Sequence, residues 1–212
     1  MKAKRQPFWK ISIYLSMSSF VLFIVFYIFA AIEFPGGTYA NPRQKGFSIA
    51  ENYLCDLLDD FTYLLQDNPA KIYARVALGF LCLGIFLFWY HLPFLFRTKT
   101  NPQNVMRFSG MLAMFVCVLL TARNHDIITW VAGILGSVAM ILSFKELFKS
   151  GYKGYMVFGI ICLLLILLNY YIYESGTWRN ALPVVQKVTT LAGMAWFVVL
   201  NIKLLTQLEL EK

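Results

Sequence analysis

Runs of about 20 consecutive, mostly apolar residues recur along this sequence, and each is long enough to cross a bilayer as an α-helix. Charged residues make up only 14% of the chain, whereas a typical soluble domain has about 25%. A helix that is apolar on all sides needs either a large protein core or lipid around it. The sequence therefore predicts a single polytopic membrane domain over residues 1–212.

The apolar runs define six predicted spans, each near the length that a bilayer requires. The predicted fold class is an all-α membrane protein, a six-transmembrane-helix bundle. The first run is near 20 residues, longer than the apolar region of a signal peptide, so we interpret it as an uncleaved first span. The predicted spans are about 11–33, 72–96, 106–122, 127–147, 154–173 and 182–206.

Lysine and arginine are distributed unevenly between the two predicted sides of the membrane. With the N-terminus inside, twelve basic residues fall in inner segments and six in outer segments. The positive-inside rule therefore predicts that both termini are cytoplasmic. The same basic loops account for the net charge of +8. No basic module stands apart from the spans, so nucleic acid is not a predicted partner.

The long first outer loop contains a cluster of acidic residues at helical spacing. Ser48 to Glu51 form a capping-box pattern, and the residue before Pro69 disfavours helix. The sequence therefore predicts an amphipathic helix at about 49–66, whose polar stripe includes Asn52, Asp56 and Asp59. The stripe is either one wall of a site between the spans or the solvated side of an interfacial helix.

Further polar residues are predicted to lie at a similar depth on the same side. Asn124, His125 and Asp126 occupy a short outer turn, which is either an ordinary polar turn or a place for a base, a ligand or a pH-sensitive group. Lys187 lies about one turn into the sixth span. An ionisable residue within a span suggests a functional site, although a lysine at this depth can also extend to the interface.

These residues form one candidate site on the outer face. Asp56, His125 and Lys187 are the candidates for a catalytic role. We predict no metal site, because a catalytic zinc normally has three protein ligands and only His125 is available outside. No cofactor is implied. The candidate ligand-binding residues are Asn52, Asp56, Asp59, Asn124, His125, Asp126, Arg179, Gln186 and Lys187.

Several short motifs, in this order, resemble the DUF998 family of bacterial and archaeal membrane proteins. They are the stretch from Asn52 through Asp56 to Leu57, Asn68-Pro69, the His125-Asp126 turn and the Gln186-Lys187 pair. Two positions depart from the family pattern, because Cys55 replaces a serine and Lys187 replaces an arginine. The resemblance implies a six-span helical bundle in a bacterial cytoplasmic (inner) membrane, and it implies no activity.

Three functional hypotheses follow from the outer polar site. The first is a membrane protein whose pocket binds a lipid or polyprenyl headgroup, with the lipid bilayer and a lipid-like ligand as its partners. The second is a membrane-embedded lipid hydrolase or transferase that uses Asp56 or His125 as a base and Lys187 to stabilise negative charge. The third is a transporter or a subunit of a complex. The oligomeric state stays open.

Overall fold

The structure is a computed structural model that describes residues 6–120 and 125–210, with side chains from Trp9 onward. Short 3₁₀ helices occur at Cys55–Leu58, Leu92–Leu95 and Arg179–Ala181. The described residues form six long α-helices: α1 Gln6–Glu33, α2 Ala70–His91, α3 Asn101–Cys117, α4 His125–Lys149, α5 Lys153–Ser175 and α6 Leu182–Leu210.

Five predicted spans are confirmed as helices that are long and apolar enough to cross a membrane. These are α1, α2 with the 3₁₀ turn that follows it, α4, α5 and α6 with the 3₁₀ turn that precedes it. Large apolar side chains such as Ile32, Ile127 and Leu191 stay exposed along them. So much exposed apolar surface marks contact with lipid or with another protein. The chain is a multi-pass α-helical membrane protein.

The third helix differs in position from its prediction at 106–122. It begins at Asn101 and ends at Cys117. Pro102 lies in its first turn, where proline is tolerated because the first N–H groups of a helix have no partner inside the helix. At 1.5 Å per residue, its 17 residues span about 26 Å, slightly less than the roughly 30 Å thickness of a hydrocarbon core.

Successive helices run in opposite directions and pack against their neighbours. The loop over residues 34–69 covers one end of the bundle, which we call the loop end; α2, α4 and α6 begin there. At the opposite end, which we call the termini end, Lys10 near the start of α1 pairs with Glu209 near the end of α6 at 3.0 Å.

The main core lies in the half of the bundle nearest the termini end. Trp196 is fully buried in α6, and its indole Nε1 donates a hydrogen bond to the backbone oxygen of Tyr155 in α5 at 2.8 Å. Gly110 permits close packing of α3 on α2, since a Cβ there would lie 2.3 Å from the Cγ atom of Trp89. Small residues at such crossings let membrane helices approach closely.

The predicted amphipathic helix at 49–66 is wrong. This segment contains only the 3₁₀ helix Cys55–Leu58, flanked by turns. The Asn52 Oδ1 atom accepts a hydrogen bond from the Ser48 N–H at 2.9 Å, and Asp56 Oδ2 accepts one from the Tyr53 N–H at 2.9 Å. Asparagine and aspartate compete in this way with the backbone bonds of a helix, so the loop folds around its polar side chains.

Candidate functional site

Asp56 is the buried centre of the loop over residues 34–69. One carboxylate oxygen accepts hydrogen bonds from Asn52 Nδ2 and from the Tyr53 N–H, both at 2.9 Å. The other accepts one from the Tyr63 hydroxyl at 3.2 Å. Burial raises the pKa of the carboxyl, and these three hydrogen bonds oppose that change. The carboxylate therefore has its acceptor positions occupied by the loop itself.

Two fully buried asparagines complete the organisation of the loop. Asn52 Nδ2 also donates to the Gly37 oxygen at 2.7 Å, which joins the two halves of the loop. Asn68 Nδ2 lies within hydrogen-bonding distance of the backbone oxygens of Asp56, Leu57 and Asp59, the shortest contact being 2.9 Å to Asp59. Asn68 Oδ1 accepts from the Ala70 N–H at 3.1 Å at the start of α2. The loop and the second span are thus fixed together.

The Gln186-Lys187 pair on α6 holds the loop from the opposite side. Gln186 Oε1 accepts a hydrogen bond from the Leu54 N–H at 2.7 Å. The Lys187 ammonium donates to the backbone oxygen of Asn52 at 2.5 Å and to that of Pro183 at 3.1 Å, and it lies 5.5 Å from the centre of the Phe47 ring. The structure therefore brings four predicted site residues together: Asn52, Asp56, Gln186 and Lys187. Their hydrogen bonds hold the loop in place, and they do not line an open pocket.

Asp59 has a different environment from Asp56. Its side chain is half-buried, and no described residue hydrogen-bonds to it. Burial raises its pKa to about 6; the negative charges of Asp56 and Asp60 add to this rise, while the charge of His125 opposes it. Asp59 is thus a half-buried carboxyl group with a pKa of about 6 that lies within electrostatic range of His125.

His125 and Asp126 begin α4 beside the end of α5. The His125 Nδ1 atom lies 3.1 Å from Asp126 Oδ1, and the Tyr173 hydroxyl donates to the same oxygen at 3.2 Å. Asp126 is exposed and His125 is partly exposed. Asn124, the remaining predicted residue of this turn, lies outside the described residues. This acid–imidazole–phenol group is accessible, unlike the buried side chains of Asp56 and Asn52.

Arg179 lies in the connection between α5 and α6. Its guanidinium carbon is 4.3 Å from the centre of the Tyr39 ring, and its Nε atom is buried without a hydrogen-bond partner among the described residues. Beside it is an open depression of about 470 Å³, which Trp178 and Arg179 help to line. Trp178 is 72% exposed and has a φ of 57°, a conformation that is strained for a bulky residue.

Sequence analysis did not single out Tyr173, Trp178 or Asn68 as site residues. Asn68 before Pro69 matches a helix N-cap pattern that could have indicated its role. Tyr173 meets Asp126 only through the packing of α5 on α4. No local pattern predicts the exposed, left-handed conformation of Trp178.

The described residues contain no group of three or more histidine, cysteine, aspartate or glutamate side chains that could hold a metal ion. Burial raises the pKa of the Cys55 thiol to about 12, with the charges of Asp56 and Asp59 adding to the rise. A thiol of this kind stays protonated at neutral pH and is a poor nucleophile.

Comparison of the chain with protein-family models, with curated proteins and with solved structures gives no match.

Proposed function

We propose that this chain is a six-span membrane protein that binds the anionic headgroup of a lipid or polyprenyl phosphate at the loop end. The observation that carries the proposal is the position of the Arg179 guanidinium beside the open depression; its side chain interacts with Tyr53 and pairs with no carboxylate among the described residues. A guanidinium forms strong, directed hydrogen bonds with phosphate oxygens. The exposed Trp178 provides an amphipathic ring of the kind that lies at the boundary between membrane and water.

The predicted residues divide into two roles under this proposal. One group fixes the loop and so supports the position of Tyr39 beneath the Arg179 guanidinium; its members are Asn52, Asp56, Gln186 and Lys187. Arg179 contacts the headgroup. His125 and Asp126 are exposed at the same end, where they are available to a hydroxyl or amine of the ligand.

We propose a topology in which both termini are cytoplasmic. The membrane would be the inner membrane of a bacterium, as the resemblance to DUF998 proteins implies. In this arrangement α3 also crosses the inner membrane, which brings the number of spans to six, although α3 is shorter than the other five helices. The loop end faces outward. A helix a few ångströms short of the bilayer is accommodated by local thinning of the membrane.

The experiment is native mass spectrometry of the purified protein in detergent with a polyprenyl phosphate and with short-chain phosphatidylglycerol. We expect Arg179→Gln to weaken binding about tenfold for whichever of these two lipids binds the wild type, because the variant loses one charge-assisted hydrogen bond to the phosphate. Arg75→Gln is the matched control, because Arg75 lies at the same end but pairs with Asp60 at 3.0 Å. Equal binding by wild type and Arg179→Gln would contradict the proposal.

One observation favours a hydrolase as the second candidate. Asp59 has no hydrogen-bond partner among the described residues, its pKa is raised to about 6, and it lies within electrostatic range of His125. A general base acts best when its pKa is near the working pH. In that case Asp59→Asn abolishes release of product from a short-chain lipid ester, whereas Asp60→Asn retains it. Absence of product with the wild-type protein would exclude these esters as substrates.

A further inference from the structure

A second polar pocket lies at the termini end, on the opposite side of the bundle from Arg179. It is a cavity of about 280 Å³ between the 3₁₀ helix Leu92–Leu95 and the beginning of α3. Two cationic side chains, Lys99 and Arg107, line it together with Phe94, Thr100 and Gln103.

The two cations of this pocket pair with no carboxylate among the described residues. The Lys99 ammonium donates to the Pro93 oxygen at 3.1 Å and lies 4.8 Å from the centre of the Phe94 ring. The Arg107 guanidinium lies 5.2 Å from the same ring, and its buried Nε atom has no described partner. Partial loss of hydration lowers the pKa of Lys99, and the positive charge of Arg107 lowers it further. An anion between them would relieve this repulsion.

Gln103 adds an unpartnered acceptor to the pocket. Gln103 is 1% exposed. Its Nε2 donates to the backbone oxygen of Thr98 at 2.8 Å and to Glu146 Oε2 at 2.7 Å. Its Oε1 atom is buried with no partner among the described residues. A buried acceptor without a donor is destabilising, so a ligand with a hydroxyl group would stabilise it.

The beginning of α3 adds further donors. Thr100, in the N-cap position, makes no side-chain capping bond, and its buried hydroxyl has no described partner. Pro102 has no N–H, and the Gln103 N–H donates to the Thr100 backbone oxygen at 3.2 Å, so the start of α3 attracts an anion through the helix dipole. Glu146 does not line the pocket; its carboxylate accepts the hydrogen bond from Gln103 Nε2 and pairs with the Lys149 ammonium at 3.4 Å.

The surroundings of the pocket point to a membrane lipid as the source of the ligand. The Trp9 ring lies 5.6 Å from that of Tyr90 and 4.2 Å from that of Phe94, centre to centre. Aromatic residues of this kind are enriched at the level of lipid headgroups. The second apolar segment ends at Leu95, so the pocket opens where a headgroup would lie.

We propose that this pocket binds the glycerol phosphodiester headgroup of a membrane lipid. Lys99, Arg107 and the Thr100 hydroxyl hold the phosphate at the positive end of the α3 dipole, and Gln103 Oε1 accepts a hydrogen bond from a glycerol hydroxyl. The inference uses none of the loop-end residues and does not depend on the function proposed for them.

The test measures binding of short-chain phosphatidylglycerol to the full chain in detergent. We expect Arg107→Gln and Lys99→Gln each to weaken binding about tenfold. Lys153→Gln is the matched control, since Lys153 lies at the same end, 5.8 Å from the centre of the Phe148 ring, and does not line the pocket. Lys99 is exposed, so its variant is expected to fold even if Arg107→Gln does not.

Three chemical probes separate the possible ligands. Phosphatidylmethanol has the phosphodiester without the hydroxyl, and we expect it to bind several-fold more weakly than phosphatidylglycerol. Equal binding of these two lipids would overturn the role of Gln103. Soluble glycerol phosphate that binds as tightly as the lipid would overturn the membrane source. Binding of phosphatidylcholine equal to that of phosphatidylglycerol, or no effect of either cation variant, would overturn the site.

Discussion

The Lys187 ammonium on α6 donates a hydrogen bond to the backbone oxygen of Asn52, 135 positions earlier in the sequence, at 2.5 Å. The same asparagine donates from its side chain to the Asp56 carboxylate at 2.9 Å. Lys187, inside a predicted span, is thus linked to the Asp56 carboxylate through the uncharged Asn52 and not by a direct ion pair. The first consequence of this arrangement is structural, because it joins the last span to the first loop.

The first prediction concerns this connection. Lys187→Met should lower the free energy of unfolding by about 2 kcal/mol, because it removes a charged donor and leaves the Asn52 oxygen unpaired. It should also increase proteolysis within residues 34–69. Thermal unfolding and limited proteolysis in detergent measure both effects. Lys203→Met, on the same helix near the Tyr152 ring, should have a smaller effect and leave the loop resistant.

The second prediction concerns the buried carboxylate. Asp56→Asn should lower the free energy of unfolding by about 2–3 kcal/mol, because a charged acceptor of three hydrogen bonds becomes neutral and one acceptor becomes a donor. Chemical denaturation checks this value. Asp60→Asn provides the comparison, since Asp60 is exposed and surface changes usually cost about 0.5 kcal/mol or less. Equal losses in both variants would contradict the structural role of Asp56.

The third prediction concerns pH. The pKa of Asp59 rises from 3.8 to about 6 on folding, so between these values the folded state binds more protons than the unfolded state. Its contribution to stability is therefore present below about pH 4 and is lost as the pH rises through 6. Asp59→Asn should stabilise the protein at pH 7.5 by up to about 1 kcal/mol, an amount reduced by solvent screening.

Unfolding measured from pH 4 to 8 checks this prediction. The difference between the wild type and Asp59→Asn should grow as the pH rises from about 4 through 6 and stay constant above about pH 7. A constant difference across the whole range would mean that Asp59 keeps an ordinary pKa.

The fourth prediction concerns helix packing. Gly110→Ala should destabilise the fold by about 1–3 kcal/mol, because the new Cβ would lie 2.3 Å from the Trp89 ring. Gly133→Ala on α4 is the matched control, since a Cβ there has no atom within 4 Å, and alanine favours helix over glycine. Thermal unfolding should show opposite signs for the two variants. A loss of stability in both would point to a contact of Gly133 with lipid or another chain.

The positions of the helices followed from local sequence. Mean hydropathy over about 20 residues is a sum over neighbours in the chain, and membrane-spanning helices need only satisfy their own backbone bonds. Five spans could therefore be predicted to within about five residues at each end. The helix α3 begins at Asn101, five residues before the predicted start at 106, because its polar first turn adds nothing to an apolar run, whereas Pro102 marks that turn.

Sequence alone determined that this protein is a bundle of apolar helices with five of its eleven acidic residues in one loop. Only the tertiary structure decided what that loop does with them. Helical spacing grouped Asn52, Asp56 and Asp59 on one face, but Asn52 and Asp56 bond to nearby backbone N–H groups, which ends the helical pattern. Gln186 and Lys187 reach the loop from more than 130 positions away, and the energy of such contacts depends on distances that no local pattern specifies.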